Sequence, residues 1–280
     1  MTDLDELTAA VGRPDDGARR EARDLLDPDG TGGRLVDLAV WLAGAQSQVS
    51  AVPPARPRLL VLADTAPART VQVAVDTGVD LRVVGTREMA SGNREEALAA
   101  VLAGVALADE EVDGGADLLV LALPAPDLAV PVASLVGLLT KADASAVTAT
   151  GQDDASWMVA CAATRDTMRR GRPTMADHVD LLATVGTGDL AVATGVLLQA
   201  AARRTPVVLD GPAAAAAALV AARLAFRAAG WWLAGNLSPD PAHSLALARL
   251  SLEPVLDLGL RGDDGTGALL AVPVMRAAVG

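Results

Sequence analysis

Short, almost purely apolar runs alternate along this chain with longer stretches in which small apolar residues recur at helical spacing. The short runs are Arg58–Ala63, Leu81–Val84, Leu118–Leu123, Val207–Leu209 and Trp231–Ala234. Near-continuous Val and Leu over so few residues predicts strands buried on both faces, as in a parallel sheet. The longer stretches predict helices over Arg94–Val112, Asp154–Arg170, Asp189–Arg203, Pro212–Arg227, Asp240–Leu250 and Thr266–Ala278. Upstream, Asp16–Leu26 is a mixed-charge helix, and Arg34–Gln46 places Leu35, Leu38, Ala39 and Leu42 on one helical face. The Pro-rich segment 52–57 then breaks the chain. Strand–helix alternation predicts an α/β fold with a mainly parallel sheet flanked by helices, and extra N-terminal helices. We expect one domain over residues 1–280, with 1–52 as a helical segment packing on it. There is no internal repeat and no linker long enough to divide the chain.

Composition sharpens this picture. Of 280 residues, 51% are hydrophobic, yet only four are Trp, one is Phe and none is Tyr. The core must therefore be built from Ala, Val and Leu, which pack closely but bury little area each. A formal net charge of −12 argues against nucleic-acid binding, though not against a small local anion site. The single cysteine, Cys161, excludes an intramolecular disulfide and a cysteine-cluster metal site. The acidic start Met1–Asp5 has no apolar signal core. The Ala-rich run 214–229 is interrupted by Arg223 and Arg227 and is too short to span a membrane. A soluble cytoplasmic protein is expected, with no membrane partner.

In parallel sheets, ligands bind beyond the carboxyl ends of the strands. Four loops fall there: Asp64–Pro67, Pro124–Asp127, Asp210–Pro212 and Arg261–Gly267. The last is the richest. Its glycines allow close backbone approach, and the following helix start offers N–H groups to an anion. The adjacent Asp263 and Asp264 can raise one another's pKa, as a general base requires. The plainer reading is a helix cap supplied by Asp264 or Thr266. Asp210 is open to the same two readings, ligand contact or cap of the helix that Pro212 begins. His243 reads as a structural histidine and His178 as a local partner of Asp177 and Asp180. No spacing joins the two into a metal site. Trp231-Trp232 reads as core packing, with the two side chains on opposite faces of a strand. Arg169-Arg170-Gly171-Arg172 decorates a helix end, or neutralises a phosphate. No Walker loop, dinucleotide fingerprint or nucleophile elbow is present.

The carboxy-terminal third carries a more specific run. Val207-Val208-Leu209-Asp210-Gly211 leads into an Ala-rich helix and then Asn236-Leu237-Ser238-Pro239-Asp240-Pro241-Ala242-His243. Glu253-Pro254-Val255-Leu256-Asp257-Leu258-Gly259-Leu260-Arg261 and Gly265-Thr266-Gly267-Ala268 follow. In order and spacing this resembles the nicotinate-nucleotide–dimethylbenzimidazole phosphoribosyltransferase family. The likeness extends to Val185–Gly195, Leu35–Gln46 and Arg94–Leu118, roughly two-thirds of the chain. It implies a Rossmann-like α/β fold, usually dimeric, and a reaction that needs no cofactor or metal. Phosphoribose would pass from nicotinate mononucleotide to a benzimidazole-like base, making the lower ligand of cobalamin. The family's general base is the glutamate of a Gly-Glu-Gly-Thr-Gly motif.

The sequence departs from that pattern at the reacting centre. Asp264 stands in the glutamate's place and Asp263 replaces a glycine. Of a Gly-Asp-His-Gly motif only Asp64 remains, within Ala63-Asp64-Thr65-Ala66. The segment that helps form the benzimidazole pocket is shortened between Pro67 and Asp80. A Gly-Glu-Met-Gly-Ile-Gly-Asn loop is replaced by Ala122–Leu128, and a lysine expected after Gly151 falls near Ala160. The resemblance thus implies Asp264 as base, with Asp64, Asp210, Gly265, Thr266 and Gly267 as substrate contacts, and weak or altered activity. The alternatives are a non-catalytic paralogue acting as a structural or regulatory subunit, or a small-molecule binding module. A homodimer, or a heterodimer with a homologue, is expected.

Overall fold

Six parallel strands form one sheet in the order β2-β1-β3-β4-β5-β6. They are β1 (Pro57–Leu62), β2 (Asp80–Val84), β3 (Leu118–Ala122), β4 (Val207–Asp210), β5 (Trp232–Asn236) and β6 (Pro254–Leu256). The structure is a computed structural model that describes residues 4–86, 92–124, 126–149, 151, 153–261 and 263–280. The expected loops 124–127 and 261–267 therefore each contain one position, Ala125 and Gly262, outside the described residues.

Strand residues alternate between two apolar layers. Leu60, Leu62, Leu119, Leu121, Val207 and Leu209 face one layer, while Leu59, Val61, Leu118, Val120 and Val208 face the other. The first layer is closed by α5 (Arg94–Asp113), α6 (Ala129–Thr140), α9 (His178–Val185), α10 (Gly188–Ala202), α11 (Gly211–Leu224) and α12 (Pro241–Leu250). The second is closed by α3 (Arg34–Gln46), α4 (Ala68–Thr77) and α13 (Thr266–Val279). Burial on both faces is why these strands lack a polar alternation. The remaining helices are α1 (Leu4–Ala10), α2 (Asp16–Leu26), α7 (Ala144–Val147) and α8 (Asp154–Gly171). The N-terminal helices share the core: Leu38 and Leu42 of α3 are buried among the strand residues, and Leu7 of α1 lies in the opposite layer.

Small residues set the closest approach. Helices α5 and α10 cross where Gly104 faces Val192 and Gly195 faces Val101. A Cβ on either glycine would overlap the facing carbonyl oxygen.

The five expected strands are present, with a correction at the tryptophans. Trp231 ends a 3-10 turn that starts at Phe226, and β5 begins only at Trp232. Both side chains are buried in the same apolar layer, not on opposite faces. The Trp231 indole is satisfied locally, donating to the Gly12 carbonyl at 2.8 Å. Strand β6 and helices α1, α4, α6, α7 and α9 were not anticipated. Among the described residues no helix is long and apolar enough to cross a membrane.

Candidate active site

The chain lays β2 on one side of β1 and then returns to lay β3 on the other. At such a reversal the strand-end loops diverge and open a crevice. Gly265 sits there, at φ +91°, where an added Cβ would lie 3.1 Å from Leu59 of β1 and 3.3 Å from Ala122 of β3. Both the positive φ and the tight space require glycine.

Two helices begin at this edge, and they exchange caps. Asp210 precedes α11 but does not cap it through its side chain. Its carboxylate instead accepts N–H bonds from Gly265 and Ala268 at the start of α13, both at 2.8 Å. Asp263, just before α13, accepts the Ala213 N–H at the start of α11 at 3.0 Å. Each helix thus has an orphan donor satisfied by the carboxylate that precedes the other. Of the two readings left open for Asp210, a side-chain cap of its own helix is not what the structure shows: the residue stands at the N-cap position of α11, but its carboxylate bonds to α13.

This exchange buries charge. Asp210 is 2% exposed, and burial pushes its pKa up to about 7, against the pull of its backbone donors and with a smaller push from Asp264. Burial raises Asp263 well above the usual carboxylate range, and Asp210, Asp240 and Asp264 add to the effect. Burial also raises Asp240, the N-cap of α12, which accepts from Ala242 at 2.8 Å. At all three, removal of the carboxylate from water is the main cause.

Asp264 is placed differently. Its side chain is 18% exposed and pairs with Arg69 of α4 at 3.3 Å. Its other oxygen accepts the Thr266 N–H at 2.9 Å, the capping contact expected of this loop. Thr266 itself does not cap α13; its hydroxyl lies 3.4 Å from that of Thr70. Gly267 is wedged against the site, since a Cβ there would lie 2.7 Å from Asn236 Cβ and 2.9 Å from Asp210 Oδ1. Asp64 is exposed just beyond the end of β1, on the same edge of the sheet. The structure thus gathers Asp210, Asp264, Gly265, Thr266 and Gly267 into one cluster. Sequence reasoning missed the cap role of Asp263, and Arg69 and Thr70 altogether. Asp263 was visible as one of two adjacent carboxylates; nothing in the pattern marks Arg69 or Thr70.

The cleft beside the cluster is small. One cavity of about 150 Å³ is lined by Leu128, Val132, Val147, Pro212, Asp240 and Asp263. Another of about 110 Å³ shares Pro212, Asp240 and Asp263 and adds Ser238, Pro239 and Arg261. Behind them, His243 is fully buried and accepts at Nδ1 from the Ser238 N–H at 3.1 Å, so it is structural, and burial lowers its pKa to about 4. Asp177 caps α9 and pairs with Arg94 at 3.0 Å. Arg169 and Arg170 lie in the last turn of α8, where Arg169 pairs with Asp166 at 3.8 Å. Among the described residues no group of three or more His, Cys, Asp or Glu side chains is arranged to hold a metal ion.

Comparison with known proteins fits this arrangement. A phosphoribosyltransferase family model matches residues 62–280. The nicotinate-nucleotide–dimethylbenzimidazole phosphoribosyltransferase of Streptomyces avermitilis is 41% identical over 332 aligned positions, covering 98% of this chain and 88% of the relative. That of Mycobacterium tuberculosis is 41% identical over 325 positions, covering 97% and 90%. The crystal structure of the Thermus thermophilus enzyme superposes with a TM-score of 0.82 at 27% identity, covering 98% of this chain and 94% of that one. The 332-position alignment is 52 positions longer than this 280-residue chain, so internal segments of the relative have no counterpart here. With the family model spanning β2 to β6 and the carboxylate cluster, and relatives matched along nearly the whole length, the chain belongs to the nicotinate-nucleotide–dimethylbenzimidazole phosphoribosyltransferase family.

Proposed function

We propose that this protein is a cytoplasmic phosphoribosyltransferase that works slowly, moving phosphoribose from nicotinate mononucleotide to a benzimidazole-like base. The observation that carries this reading is Asp264. Its side chain, next to Gly265-Thr266-Gly267, is 18% exposed, with one oxygen fixed by Thr266 and the other toward Arg69. In the reaction a ring nitrogen of the acceptor attacks the anomeric carbon of the ribose. The bond from that carbon to the nicotinate nitrogen breaks, and nicotinate leaves with the bonding pair. Asp264 takes the proton from the acceptor's other ring nitrogen. Asp210 holds the Gly265–Ala268 turn and does not reach substrate, and Arg69 supplies positive charge near the donor phosphate. Asp64 is proposed to contact substrate from the β1 loop.

Aspartate is one methylene shorter than the family's glutamate, which withdraws the carboxylate by about 1 Å, enough to slow proton transfer. The test is nicotinate release from nicotinate mononucleotide with and without dimethylbenzimidazole. We expect slow, acceptor-dependent release, lowered by a factor of roughly 100 or more in Asp264→Asn. Asp264→Glu should raise it by roughly two- to ten-fold.

A second reading, a non-catalytic subunit, is favoured by the cleft. Its cavities of about 150 and 110 Å³ are below the roughly 300 Å³ at which small-molecule pockets begin. No release by the wild-type protein, with stimulation of a co-expressed homologue, would establish that reading in place of the first. In either role a second chain is proposed as partner. The exposed Ala155, Met158, Val159 and Ala163 of α8 form an apolar face that suits it.

A further inference from the structure

The two carboxylate oxygens of Asp264 are engaged in different ways. Oδ1 accepts the Thr266 N–H at 2.9 Å, which fixes the turn into α13. Oδ2 is therefore the oxygen left for proton transfer, and Arg69 Nη2 donates to it at 3.3 Å. A guanidinium only donates, and so does the ring N–H of an acceptor base. The two compete for the same oxygen, and the structure shows Arg69 in possession of it.

The partners of this contact differ in freedom. The Asp264 carboxylate is mostly buried and held by the backbone, whereas the Arg69 side chain is 64% exposed. Their contact is a single bond and not a fork, and an exposed pair of this kind holds weakly. The helix that carries Arg69 is fastened to α13 at both ends. Thr70, its neighbour, is fully buried with its hydroxyl 3.4 Å from that of Thr266. At the far end of α4, Arg276 of α13 donates to the carbonyls of Thr77 and Gly78 at 2.5 and 3.3 Å. Rotation of the Arg69 side chain is the freedom that remains, and it uncovers Oδ2 with both helices in place.

We infer that Arg69 is a donor-sensing switch in the phosphoribosyl transfer proposed above, an inference that rests on Asp264 being the base. The phosphate of nicotinate mononucleotide draws the guanidinium off Oδ2, and the uncovered oxygen then accepts the N–H of the acceptor base. A phosphate monoester offers three oxygens and about twice the charge of a carboxylate, so the exchange runs toward the donor. The guanidinium meets it with two parallel N–H bonds in place of the single one to Asp264. Binding is therefore ordered, with the donor first and the acceptor second.

Equilibrium dialysis of dimethylbenzimidazole against the full chain tests this, alone and with an excess of ribose 5-phosphate or of ribose. Ribose 5-phosphate carries the donor's phosphate but no nicotinate to release, so binding is read apart from turnover. We expect it to tighten dimethylbenzimidazole binding by roughly ten-fold or more, and ribose to leave it unchanged. In Arg69→Gln dimethylbenzimidazole should bind at the tighter level from the start, and ribose 5-phosphate should add nothing. Arg69→Lys keeps the charge without the fork and should recover part of the coupling, which a purely structural role would not predict. Both variants alter an exposed side chain, so their melting temperatures should stay close to that of the wild type. Equal tightening in the wild type and Arg69→Gln overturns the switch and leaves the transferase reading standing. So does a wild type that binds dimethylbenzimidazole without regard to ribose 5-phosphate. Absence of dimethylbenzimidazole binding under every condition also overturns the switch, and the nicotinate-release assay then decides whether the transferase reading falls with it.

Discussion

Both carboxylate oxygens of Asp210 are held by backbone N–H groups of α13, so its charge state governs the link between that helix and β4. Its pKa is about 7 in the folded chain against 3.8 for an ordinary aspartate, so the native state holds the proton more tightly than the unfolded one. The resulting stability is complete below about pH 4 and is lost as pH rises through 7. His243 acts in the opposite sense. Its pKa of about 4, against 6.5, makes its contribution present above pH 6.5 and lost as pH falls through 4. The two overlap, so a variant is needed to separate them. Urea unfolding of the wild type and Asp210→Asn should show a stability difference that shrinks by a few kcal/mol between pH 4 and pH 8, at about 1.4 kcal/mol per unit. A difference independent of pH would show that Asp210 is ionised throughout. Asp210 was legible in the sequence as a polar residue at the end of an apolar strand. Its partners were not, because they lie 55 and 58 positions away and no periodicity links such distant positions.

Among elements, the α5–α10 crossing is the most exacting contact. Ala at Gly104 or Gly195 would meet a backbone carbonyl, which cannot rotate aside as a side chain could. Each single substitution should cost about 3 kcal/mol, and the double variant clearly less than the sum, because either change alone already forces the helices apart. Chemical denaturation of the four proteins in the cycle checks this. Additive costs would mean that the helices do not move as units. The sequence showed α5 and α10 as helices, but the reciprocal glycines become meaningful only once the two are known to touch. The elements that escaped are equally instructive. Helix α6 is buried along most of its length from Val132 to Leu139, so it carries no amphipathic period. Strand β6 has only three residues, all half-buried, too few to show a pattern.

For the whole molecule, the apolar face of α8 is the outstanding surface feature: Met158 is 65% exposed and Val159 71%. If a second chain covers it, light scattering should give twice the mass of the 28.3 kDa chain, and Met158→Glu should shift the protein to monomer without loss of secondary structure. A wild-type monomer, alone and beside a homologue, would refute this. Because Leu38 and Leu42 of α3 share an apolar layer with β1, β3 and β4, the proposed single domain should melt in one transition. The strand–helix alternation announced this architecture, since each sheet face needs a covering. What it could not announce is the order in which that covering is completed. Leu269, Val272 and Met275 of α13 close the layer over Leu59, Val61, Val120 and Val208, and they follow those strands by many residues. During synthesis the strands therefore leave the ribosome long before α13 exists, and the part of that sheet face not under α3 and α4 must wait, wet and adhesive, until that helix emerges.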